Sequence, residues 1–126
     1  MEQAIHDILK DDAAVAAVIG TRIYPLIIPQ GTLFPCITYQ RITDTPTNDK
    51  DGVSRLDVIK IDIDMWGDKY STLKDLKTKV RTALDNFDGT KTGFTINVIF
   101  EAEQDLFEME ADSYHINQSY SIRLKR

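Results

Sequence analysis

The chain is poor in the residues that build covalent or metal frameworks. Its 126 residues include one cysteine, Cys36, and two histidines, His6 and His115. A single thiol excludes an internal disulfide and points to a reducing compartment. Long apolar runs are also missing. Ala13–Ile19 and Leu26–Ile28 fall far below the roughly 18 residues a membrane helix requires, so no membrane partner is expected. The N-terminal MEQAIHDILKDD carries acids and no basic stretch, which argues against a secretory signal. Positive charge is in deficit as well. With 20 acids against 15 bases the net charge is −5, a sign that disfavours nonspecific binding to a phosphate backbone.

What is present is ordinary for a folded domain: 42% hydrophobic and 28% charged residues. A chain of this length predicts one domain over residues 1–126, able to bury about two-thirds of its unfolded surface without staples. Ile5, Ile8 and Leu9 share one face of a first helix. Asp11 or Asp12 can cap a second, Ala13–Ile19, with Gly20 just past its end. Pro25 and Pro29 bracket an irregular stretch, and Pro35 leads into a strand over Cys36–Thr43. Thr43–Arg55 is polar and without period, which predicts a long mobile loop that includes Asp44, Asn48, Asp49, Asp51 and Gly52. Leu56–Trp66 alternates Ile59, Ile61, Ile63 and Met65 with Lys60, Asp62 and Asp64, the pattern of a strand with one dry face. A helix follows over about Ser71–Phe87, capped by Ser71 or Thr72 and closed at Asp88-Gly89. Two more alternating strands begin at Phe94 and Tyr114, joined by Ala102–Asp112 as the extended end of a hairpin. The expected fold is α+β, in the order α-α-β-β-α-β-β: one mostly antiparallel four-stranded sheet with the helices on its apolar face and its polar face bare.

Catalytic chemistry is thin. No Gly-x-Ser-x-Gly elbow, phosphate-binding Gly-x-x-x-x-Gly-Lys loop or His-Glu-x-x-His helix occurs. Both histidines read as solvated surface residues, and Cys36 as a small buried hydrophobe. If Gly52 were the sixth residue of a calcium loop, its first and twelfth would be Thr47 and Val58, neither a carboxylate. Asp62 and Asp64 share a strand face and could bind a hard cation, but Lys60 on that face offers a simpler partner. Glu101–Asp112 holds six acids and no base. It reads either as a solvated hairpin end or as a docking surface for a basic partner. No catalytic, cofactor-binding or metal site is expected.

Several pieces together carry a resemblance. These are Asp11 to Gly20 (DDAAVAAVIG), then Arg22-Ile23-Tyr24-Pro25, the proline-led Phe34 to Ile42 (FPCITYQRI), Ile61 to Gly67 (IDIDMWG), and Tyr114-His115 opening the last strand. In order and spacing this set resembles the tail-completion or tail-terminator proteins of long, noncontractile phage and prophage tails; Glu101–Asp112 fits that pattern less well. The resemblance implies a structural virion protein without catalytic residues or cofactors. It implies a ring, typically hexameric, at the head-proximal end of the tail tube, through which DNA could pass without specific binding. Such a ring ends tube polymerisation and meets the head connector, so the tail tube protein and the connector protein are the implied partners. The implied location is the virion, with host cytoplasm during assembly. A head-closure adaptor of the same machinery is an alternative. A small metal-dependent or ligand-binding module using Asp62 and Asp64 is another.

A ring is built from heterologous contacts, in which one patch meets a different patch on the next copy. Leu106, Phe107 and Met109 form an apolar trio among Glu103, Asp105, Glu108 and Glu110, a poor composition for a merely solvated turn. The expectation is that this end reaches an adjacent subunit or the tail tube, with the trio as anchors and the acids as steering charges. Its opposite numbers would be basic residues on the long helix, Lys77 and Arg81, and Arg123 near the C-terminus.

Overall fold

The computed structural model describes residues 2–49, 52–108 and 113–125. Three helices, α1 (Glu2–Asp11), α2 (Ala13–Ile19) and α3 (Tyr70–Leu84), accompany six strands. The strands are β1 (Ile23–Pro25), β2 (Cys36–Asp49), β3 (Gly52–Gly67), β4 (Asp88–Lys91), β5 (Phe94–Glu108) and β6 (Ser113–Lys125). They form one sheet in the order β1-β2-β3-β6-β5-β4, with β1 parallel to β2 and every other pair antiparallel.

The alternation in β3 does what its period dictates. Ile59, Ile61, Ile63 and Met65 are buried and face Leu73, Leu76, Val80 and Leu84 of α3 together with Ile5, Leu9, Val15 and Ile19 of the first two helices, all in one core. Asp12 caps α2 by accepting from the Val15 amide at 3.0 Å, and Gly20 ends it at φ 60° and ψ −121°, a positive-φ conformation glycine adopts without a side-chain clash. Gly67 sits where β3 meets α3: a Cβ there would lie 3.0 Å from a Leu73 methyl.

The sheet has six strands rather than the expected four. β1 is three residues long and β4 four, too short for any hydrophobic period to show. β4 also corrects the end of the long helix, which stops at Leu84 rather than near Phe87. Asn86 takes φ 63°, its amide donates to the Val98 carbonyl, and the chain enters the sheet beside β5. Thr92 and Gly93, both at positive φ, then turn it back. Lys91 bonds Asp11 at 2.7 Å and Thr92 bonds Asp7 at 2.5 Å, fastening this hairpin to α1. The start of α3 is corrected too: its cap is Lys69, with no side-chain capping bond from Ser71 or Thr72.

Thr43–Arg55 is not a loop in its described parts. Asp44, Asn48 and Asp49 belong to β2 and Gly52 to β3, while Asp51 lies outside the described residues. The two strands pair from Cys36–Trp66 out to Asp49–Gly52, with register shifts after Arg41 and after Pro46. β6 accompanies β3 only as far as Leu56, so the outer hairpin is a two-stranded ribbon. Backbone pairing in such a ribbon needs no buried face, which is why its polar sequence carries no strand signature.

Ile63 is fully buried in the centre of this core. Ile63→Ala is expected to lower the unfolding free energy by about 2–5 kcal/mol in a denaturant titration. A loss under about 0.5 kcal/mol would mean that this face of β3 is not buried.

Candidate assembly surface

The acidic end of β5 acquires its geometry from one irregularity. Phe100 lies opposite Tyr120 on the helix-covered face, but the register shifts before Ala102, so Glu101 is the extra residue. Such a bulge reverses which side chains face which way. After it Glu103 stands opposite Gln118 and Asp105 opposite Ile116, both on the helix side, while Leu106 stands opposite His115 on the other.

On the helix side the acids find partners within the chain. Glu103 pairs with Lys77 at 2.9 Å and accepts from Gln118 Nε2 at 2.9 Å. Burial alone would raise the Glu103 carboxyl, but the bonds from Gln118 and Lys77 outweigh it and hold the pKa below its usual value. The same contact raises Lys77. The Tyr70 hydroxyl donates to Asp105, which raises the tyrosine. Tyr70 and Phe107 both lie against Tyr114, with ring centroids 5.5 and 5.0 Å away. Gln118 is wholly buried and satisfied, donating to the Lys77 carbonyl and to Glu103 and accepting from Tyr120.

Lys77 and the acidic strand, expected to meet between subunits, therefore meet within one. Arg81 stacks over the Phe100 ring at 3.9 Å and approaches Asp85 at 3.6 Å, alongside an open groove of about 510 Å³ that Lys77 and Glu103 also line. Arg123 is exposed on the opposite face, level with Asn97 and far along β5 from Leu106. Glu108 ends β5 opposite Ser113, and Met109 and Glu110 lie outside the described residues. Leu106 and Phe107 remain 38% and 46% exposed.

The face without helices is held by side-chain hydrogen bonds. His115 is not a solvated residue: it is 9% exposed, stacks on Trp66 with centroids 3.9 Å apart, and bonds Asp64 through Nε2 at 2.6 Å. Asn117 also donates to Asp64, at 2.8 Å, and Ser119 to Asp62, at 2.8 Å. The two carboxylates are thus engaged by donors from β6 rather than facing solvent with Lys60. Trp66 Nε1 donates to Thr38 at 3.1 Å. Among the described residues no group of three or more potential ligands is placed to hold a metal. Cys36 is buried, and burial pushes its thiol up to about 11. His6 is a partly exposed neighbour of Asp7, at 3.2 Å.

A second apolar surface was not marked by any sequence pattern. Leu26, Ile27 and Leu33 are 65%, 75% and 72% exposed, with Phe34 partly so, all in the segment between β1 and β2. The available signal was composition alone, apolar residues between Pro25, Pro29 and Pro35 without a period.

Residues 3–125 match the family described as "Tail completion protein gp17". The fold is similar to that of a chain in a structure titled "Virion of native gene transfer agent (GTA) particle", at 22% identity and TM-score 0.79, covering 100% of this chain and 95% of that one. A second solved chain is similar at 12% identity and TM-score 0.60, with 100% and 96% covered. No curated protein matches.

The Lys77–Glu103 contact makes a pH-dependent prediction. A lowered carboxyl pKa stabilises the fold fully above the ordinary value of 4.5, and that stabilisation is lost as pH falls through the lowered value. Glu103→Gln is expected to lower the thermal midpoint by a few degrees at pH 7, with the gap to wild type closing below pH 4.5. A gap that is unchanged down to the acid transition would show that the pair contributes nothing through its charge.

Proposed function

The chain belongs to the Tail completion protein gp17 family, and from that premise we propose that it forms a ring at the head-proximal end of a phage-type tail. There it ends polymerisation of the tube and presents a surface to the head connector. Family membership makes it a structural tail protein and not an enzyme. The observation that carries the finer reading is the extent of the match: residues 3–125 take in all three helices and all six strands, so the whole fold, and not one motif, is what the family shares. The likeness to a chain from a gene transfer agent virion supports a place in the virion.

On this reading the partners are further copies of the chain, a tail tube protein and a connector protein. Hexameric closure is the ring size the reading adopts, and the isolated chain can be monomeric at low concentration until a tail is offered to it. The β2–β3 ribbon that runs past the sheet is then a mobile arm that orders against a neighbour. The acidic edge of β5 is suited to steering a basic partner, since Glu101 and Asp105 are exposed along it on either side of the Lys77–Glu103 pair.

The test is polymerisation of the cognate tube protein with and without this chain. Added in amounts comparable to tube ends, the chain is expected to shorten the tubes and to appear by electron microscopy as a ring on one end only. Tubes of unchanged length with no bound ring would contradict the proposal. Binding to the connector but never to the tube would instead assign the chain to the head side, as a closure adaptor.

A further inference from the structure

The two exposed apolar patches lie on opposite edges of the sheet and at the same level. β1 runs parallel to β2, with Ile23 beside Ile37 and Pro25 beside Tyr39. A parallel neighbour is reached only through a crossover connection that carries the chain back to the starting level. Residues 26–35 therefore return, at the β1–β2 end of the sheet, from the level of Tyr39 to that of Cys36. Hydrogen-bonded rows carry those levels straight across the sheet. Tyr39, Ile63, Gln118 and Glu103 form one row, and Cys36, Trp66, His115 and Leu106 another. The returning segment with Leu26, Ile27, Leu33 and Phe34 and the β5 tip with Leu106 and Phe107 thus occupy matching heights on opposite flanks. β4 pairs with β5 only over Phe94–Asn97, so among the described residues no strand covers β5 at that height.

Two further observations select the occupant. Gly20–Thr43 contains Arg22 and Arg41 and no acid, whereas Glu101–Glu108 contains four acids and no base. The flanks are complementary in charge as well as both apolar. Leu26 also holds φ 65° while its amide donates to the Tyr39 carbonyl at 2.9 Å, so a costly backbone conformation turns a leucine outward into water.

We propose that the segment 26–34 of one copy seats against the Leu106–Phe107 tip of the next copy, making the heterologous contact from which the ring closes. This rests on the ring reading above and replaces the long helix as the expected counterpart of the acidic tip, because Lys77 and Arg81 are already engaged within the subunit. The two halves belong to opposite ends of the strand order, so the interface propagates in one direction and closes only by rotation.

A head-to-tail contact has a signature that a symmetric one lacks. Ile27→Ser with Leu33→Ser removes one half, and Leu106→Ser with Phe107→Ser removes the other. All four side chains are exposed, so both variants are expected to keep the wild-type thermal midpoint. Should either double variant fail to fold, Ile27→Ser and Leu106→Ser alone replace them. Wild type is expected to assemble with rising concentration in sedimentation velocity, and each variant is expected to weaken that assembly about tenfold or more. Mixed, the two variants retain one good half each and are expected to form a one-to-one heterodimer and nothing larger. Wild type that stays monomeric at millimolar concentration, variants that assemble normally, or a mixture without the heterodimer would each overturn the contact. The tube-length measurement is independent of all three, so the ring reading stands or falls separately.

Discussion

The architecture depends on β3 being paired along both edges while one of its faces is sealed. β2 and β6 flank it from Asp57 to Trp66, and Ile59, Ile61, Ile63 and Met65 fill the space beneath the helices. A strand so placed cannot slip by one residue, since that would turn four buried side chains into water and bring Lys60, Asp62 and Asp64 into the core. With the register fixed, every other position follows. The helices occupy one face, β1 and the return segment are pushed to one flank, and β5 to the other. The surfaces left for partners are a consequence of which strand holds the centre.

Polar groups are settled by the same geometry. Gln118 sits between Ile116 and Tyr120 on the buried face of β6, and a buried amide without partners would cost about 1–3 kcal/mol for each unsatisfied group. It instead joins α3, β5 and β6 through Lys77, Glu103 and Tyr120. On the uncovered face, Asp64 gathers His115 and Asn117, and Asp62 takes Ser119. These bonds satisfy polar side chains along a face that has no helix over it. The large apolar side chains left exposed include those of the return segment on one flank and of the β5 tip on the other.

Legibility in the sequence followed burial. β3 and β6 were legible because one dry face imposes a period of two, and α2 because Asp12 and Gly20 mark its ends. β1 and β4 were not, because three or four residues at an edge need no apolar period. The outer β2–β3 hairpin was hidden for the related reason that its polar sequence shows no period of two, while its backbone is paired. His115 falls at an outward position, where the stacking on Trp66 and the bond to Asp64 help remove it from water. Leu106 and Phe107 stood out as apolar residues among acids, and they are exposed. Lys77 could not be placed without knowing that the bulge at Glu101 turns Glu103 toward α3. The segment 26–34 escaped notice because prolines erase the periodicities by which apolar residues are assigned to a face.

The central claim is that the flanks of the sheet are the assembly surfaces and that its interior is complete within one subunit. Amide exchange read by mass spectrometry on the free and the assembled protein tests it most directly. The account predicts slowed exchange over residues 26–35 and 101–107 on assembly, with residues 58–66 of the central strand already protected and unchanged. Protection gained instead across α3, with none at either flank, would contradict it.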